Sequence, residues 1–115
     1  MAITLYGIKQ CDTMKKTQVF LDQQHLAYQF HDYKKAGLSP ELLAHFVAAL
    51  GVEALLNKKG TTWRALPEEL KNNLTPAVAQ QALLAYPSMI KRPLLEVDGQ
   101  LLVGFDAVVA YFSKA

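Results

Sequence analysis

The sequence predicts an α/β fold on a mixed four-stranded sheet, the chain running βαβ, then a helical insertion, then ββα. Three observations carry this. Strand and helix patterns alternate from Ile3 to Tyr33, two apolar runs flank an Asp98-Gly99 pair, and Ser-Pro and Thr-Pro pairs open helices in between.

The first strand is the apolar run ITLY, with Ile3 and Leu5 at strand spacing and Gly7 ending it. From Thr13 the pattern turns helical. Met14, Thr17 and Leu21 fall on one face, and Asp12 stands ready to cap or to sit on the positive end of the helix dipole. AYQFHDY then alternates, Tyr28 and Phe30 on one side and Gln29 and His31 on the other, with His31-Asp32-Tyr33 read as the end of the strand. A helix between two strands makes that pair parallel. Ser39-Pro40 starts a helix carrying Leu43, Phe46, Val47 and Leu50 to Gly51. VEALLN reads as a short helix, NKKGTTWR as a loop, LPEEL as another short helix, and Thr75-Pro76 opens one running to about Ala85. PLLEVDGQLLVGF is a hairpin turning on Asp98-Gly99, and a last helix from Asp106 is expected to bury Val108, Val109 and Phe112.

The 115 residues form a single domain, 1–115, with the insert at about 38–86. An apolar fraction of 51% with 19% charged residues is that of an ordinary globular protein. The net charge of +2 does not point to nucleic acid, and no segment reaches the length of a membrane span. MAITLYGIK does not read as a signal peptide, so a cytoplasmic protein is expected. His25, His31 and His45 lack metal-ligand spacing, and neither a metal nor a bound cofactor is expected.

Cys11, the only cysteine, lies at the first strand-to-helix turn. A free cysteine ionises at about 8.5, so its nucleophilic form is scarce at neutral pH unless the site favours the anion. A helix N-terminus does so, and Lys9, Lys15 and Lys16 are close in sequence, while Asp12 opposes them. The alternative is a thiol packed as a small hydrophobe.

YGIKQCDTMKKT, LLNKKGTTWR and PSMIKRPLLEVDG, in this order, resemble the ArsC family, in particular its YffB-like branch, which is related to the Spx regulators. The resemblance covers the whole chain. It implies a thioredoxin-like fold, Cys11 as catalytic thiol and glutathione as co-substrate. It also implies that Arg92 assists the thiolate and that Pro93 opens the third strand through a cis peptide bond. Family arsenate reductases carry two further arginines, where this chain has Asn57 and Gly104. Neither replaces a guanidinium in holding an oxyanion.

On this resemblance the catalytic residues are Cys11 and Arg92, and the glutathione-binding residues are Lys9, Thr13, Lys15, Lys58, Arg64 and Pro93. Lys58, Lys59 and Arg64 would meet carboxylates, or else form a solvated basic loop around a packed Trp63. With Met14 where a C-x-x-C motif has its second sulfur, an outside thiol must resolve a mixed disulfide. The expected activity is glutathione-dependent thiol reduction of a small disulfide or oxyanion, with arsenate reduction as one alternative. The other alternative is a Spx-like regulator that binds RNA polymerase without a redox switch.

Overall fold

The computed structural model describes residues 2–9 and 11–113. Its elements are β1 (Ile3–Gly7), α1 (Asp12–Gln23), β2 (Gln29–Asp32), α2 (Tyr33–Ala36), α3 (Pro40–Leu50), α4 (Val52–Leu55), α5 (Thr61–Ala65), α6 (Glu68–Asn72), α7 (Pro76–Ala85), a 3-10 turn (Pro87–Met89), β3 (Leu94–Val97), β4 (Gln100–Val103) and α8 (Phe105–Phe112). They fall into two compact units, Met1–Gly37 with Arg92–Ala115, and Leu38–Lys91. Among the described residues, no helix is long and apolar enough to cross a membrane.

The first unit holds the sheet, in the order β2-β1-β3-β4. β1 runs parallel to β2 and antiparallel to β3, and β3 antiparallel to β4, which is the thioredoxin-like arrangement. Alternation along β1 and β3 turns Leu5, Leu95 and Val97 to one face, where Met14 and Leu21 of α1 and Val108 of α8 close the core. The hairpin turns as its sequence demands: Asp98 and Gly99 both have positive φ, at 49° and 85°.

Two glycines stand out, one for its surroundings and one for its backbone conformation. A Cβ on Gly7 would stand 2.6 Å from both the sulfur and the methyl carbon of the fully buried Met14, so a side chain at the end of β1 would displace Met14. Gly104 has φ 94° and ψ 148°, a region essentially reserved for glycine, and its N–H donates to the Pro93 carbonyl at 2.9 Å.

The second unit is helical. Ser39 and Thr75 accept from the Leu42 and Val78 N–H groups at 3.1 and 3.2 Å, so the two Ser/Thr-Pro starts are true caps. Leu43 and Phe46 of α3, Leu55 of α4 and Leu83 of α7 are fully buried, and these three helices pack on one another.

Three local expectations are corrected. The loop expected over NKKGTTWR contains α5, too short for a periodic signal and held by a Thr62–Ser88 hydroxyl contact at 3.0 Å and by Lys71 Nζ on the Arg64 carbonyl at 3.1 Å. Tyr33 does not end a strand: Asp32 accepts from the Lys34 N–H at 2.9 Å and starts α2. Of the two places open to Asp12, the structure takes the second: it is the first residue of α1, on the positive end of the dipole, and Cys11 is the N-cap. In α8, Val108 alone is fully buried, while Val109 and Phe112 are half-buried, because a helix of eight residues turns only a narrow stripe inward.

A Cβ at Gly104 would meet no atom within 4 Å, so Gly104→Ala isolates the backbone cost. The substitution is expected to lower unfolding stability by about 1–3 kcal/mol, read from urea denaturation. An unchanged midpoint would show that the positive φ is not needed.

Candidate functional site

The site begins where β1 stops. Gly7 lets Met14 lie against the strand end, and this anchors the first turn of α1 beside the loop that carries Cys11. Cys11 is the N-cap residue, with φ −149° and ψ 128°, and its carbonyl accepts the Lys15 N–H at 3.0 Å. An N-cap side chain points at the amides two and three residues on, where serine or aspartate ordinarily places an oxygen. Here a sulfur occupies that place. The thiol makes no capping hydrogen bond of ordinary geometry, yet the Met14 and Thr13 N–H groups act on it as donors to its anion.

The partner from the other end of the unit is Arg92. The register Tyr6↔Leu94 sets residues just before β3 alongside those just after β1. Arg92 therefore comes close enough to Cys11 for its side chain and charge to favour the thiolate. The Arg92–Pro93 peptide bond is cis, and Pro93 is buried. Burial pushes the half-buried Cys11 thiol up, but the Met14 N–H, the hydrogen bond and charge of Arg92, and the Thr13 N–H outweigh it, and the thiol ionises below its ordinary value.

Around Arg92 stands a cluster of ring side chains. The Tyr6 hydroxyl makes a long contact, 3.5 Å, to Glu96, and the His31 ring lies 5.2 Å from that of Tyr6 and 6.0 Å from that of Tyr33. Burial and Glu96 push Tyr6 up. Burial, then the neighbouring Tyr6, push Tyr33 up further, against the opposing pull of Arg92. Both phenols stay neutral across the physiological range, and Cys11 is the group beside them whose ionisation is favoured.

The remaining expected residues divide. Thr13 meets the sulfur through its backbone, and its carbonyl is taken by the Thr17 hydroxyl at 2.7 Å. Lys9 and Lys15 are exposed, and neither they nor Lys16 are among the groups that lower the Cys11 thiol. Lys16 instead lies over the Phe105 ring at 4.4 Å. Sequence proximity to Cys11 thus misplaces the source of charge. Lys58 and Arg64 belong to the second unit. There Lys58 pairs with Glu53 at 3.3 Å and lies 5.7 Å from the Trp63 ring centre, and Arg64 is exposed on α5. Asn57 turns its side-chain oxygen to the Lys59 N–H at 3.2 Å. Among the described residues, no group of three His, Cys, Asp or Glu side chains is placed to hold a metal.

Sequence reasoning missed the backbone of Met14 and the ring cluster of Tyr6, His31 and Tyr33. An amide leaves no mark in a sequence, although the alternation of Tyr6 with Leu5 does place it on the opposite sheet face.

Comparison with known proteins adds a separate line. A model of the ArsC family matches residues 6–109. An uncharacterized protein of Haemophilus influenzae is 41% identical over 104 residues, covering 90% of this chain and 91% of its own. A solved structure named YFFB superposes with a TM-score of 0.89 at 48% identity, over 98% of this chain and 99% of that one. An arsenate reductase-related protein from Brucella melitensis superposes at 0.82 with 50% identity, over 98% and 96%.

Arg92→Ala leaves the burial of Cys11 and removes its charged partner. The pH midpoint of Cys11 alkylation is expected to rise, and the rate at neutral pH to fall about tenfold. Stopped alkylation read by intact mass checks this, and an unmoved midpoint would remove Arg92 from the site.

Proposed function

The chain belongs to the ArsC family, and from that membership we propose that it is a cytoplasmic, glutathione-dependent thiol–disulfide oxidoreductase with Cys11 as its nucleophile. The observation that carries this reading is a half-buried thiol lowered by helix amides and by Arg92. A lowered thiol is both a nucleophile at neutral pH and a good leaving group, and disulfide exchange needs each in turn.

The Cys11 thiolate attacks one sulfur of a substrate disulfide. The substrate S–S bond breaks, a Cys11–substrate disulfide forms, and the other half leaves as a thiolate. A glutathione thiolate then attacks the Cys11 sulfur, releasing the second substrate thiolate and leaving Cys11 joined to glutathione. A second glutathione attacks the bound glutathione sulfur, which frees the Cys11 thiolate and yields glutathione disulfide. Two glutathiones supply two electrons, and the substrate leaves as two thiols. Arg92 favours the thiolate before attack and again when it is expelled. Met14, fully buried, stands where a resolving cysteine would be, so the second thiol comes from solution.

Disulfides are favoured over arsenate as substrate by the state of the two positions that differ from the family's arginines. The backbone at Gly104 has a conformation that arginine would adopt only under strain, and Asn57 is committed to its own loop. The anion charge would fall on Arg92, one guanidinium where three share it in the family's arsenate enzymes.

Turnover of a small mixed disulfide with glutathione, followed through glutathione reductase and NADPH, tests the proposal. Cys11→Ser is expected to fall to the uncatalysed rate, and the native chain treated with glutathione disulfide should gain one glutathione in its intact mass. Full turnover by Cys11→Ser would overturn it.

A further inference from the structure

We propose that a groove beside α1, lined by Lys9, Gln18, Phe30, Asp32, Lys35 and Ala36, receives a carboxylate of the thiol co-substrate. The proposal rests on the glutathione reading above and names a subsite for it. The groove encloses about 380 Å³ and lies within the first unit, at the carboxyl ends of the two parallel strands. That is where ligands gather in open α/β sheets. Lys9 precedes Cys11 by two residues, so their Cα atoms are no more than about 7.6 Å apart. A molecule whose sulfur meets Cys11 therefore has the groove within reach of a short arm.

The charge of the groove selects the arm. Lys9 and Lys35 come from different elements, both are exposed, and among the described residues neither is in an ion pair. Asp32 is buried, and one of its oxygens is occupied by the Lys34 N–H at 2.9 Å. Two ammonium groups against one engaged carboxylate leave a single positive charge, which one entering carboxylate neutralises. Phe30 offers an apolar wall for the methylene groups of the arm, and the Gln18 amide, which also reaches Tyr28, can donate or accept. Phosphate is a poorer fit. Its recognition favours the bidentate fork of arginine, and the groove holds only point charges on flexible stems.

The same carboxylate arrives either on glutathione or on an acidic protein disulfide, and the test separates the two. S-methylglutathione, which cannot exchange disulfides, is titrated into the labelled full chain and followed by amide shifts. Parallel titrations use its monoamide at either carboxylate and an acidic peptide without cysteine. In the native chain the shifts should include Lys9 and Lys35. Lys35→Glu should weaken binding by roughly fivefold or more, and Lys35→Arg should restore it. One monoamide should bind the native chain more weakly, with that difference abolished in Lys35→Glu. Native shifts that persist unchanged in Lys35→Glu overturn the groove and leave the glutathione reading standing. Binding of the acidic peptide alone assigns the arm to the protein substrate and overturns the groove as a co-substrate site. No response to S-methylglutathione anywhere in the native chain overturns the glutathione reading itself, and the groove with it.

Discussion

The site depends on one interaction, the hold that Arg92 and the first amides of α1 have on the sulfur of Cys11. Burial favours the neutral thiol, and it is the largest single influence on the group, so no one partner reverses it. Three donors do so together: two are fixed by the helix, and the third comes from the segment leading into the neighbouring strand β3. A thiol placed at a helix mouth alone would have the amides without the guanidinium. A thiol beside an arginine on a loose loop would have the charge without the geometry.

The core makes that arrangement possible. Met14 contributes its N–H to the sulfur and its side chain to the core, where it lies against Gly7. The same residue thus ties the helix to the strand and orients the amide. The antiparallel pairing of β1 with β3 does the corresponding work for Arg92 by bringing the start of β3 level with the end of β1. Gly104 closes the arrangement behind Pro93 through its N–H, in a backbone conformation that a side-chain-bearing residue would adopt only under strain.

A single nucleophile changes the economy of the reaction. Where two thiols lie a helical turn apart, the second expels the product and the protein leaves oxidised. With a buried thioether in that place, the proposed cycle draws its second thiol from solution. Among the described residues one cationic side chain, Arg92, favours the thiolate, and the proposed groove with Lys9 and Lys35 would add the charge that holds the incoming thiol.

Much of this was legible in the sequence wherever the signal is local. Ile3 and Leu5 alternate, Met14, Thr17 and Leu21 share a face, and Asp98-Gly99 dictates its turn. Ser39-Pro40 and Thr75-Pro76 cap their helices. Each feature follows from backbone sterics or from hydrophobic period within a few residues. The short helices α2 and α5 were not legible, because one turn has no period and is held by contacts made at a distance. By itself the sequence determined the strands, the longer helices and the placing of the lone thiol at a helix start. Only the tertiary structure decided which charges meet that thiol: Arg92 does, and the neighbouring lysines do not. The register of β1 on β3 fixes that pairing by bringing Arg92, remote in sequence, level with the end of β1, where nearness along the chain does not.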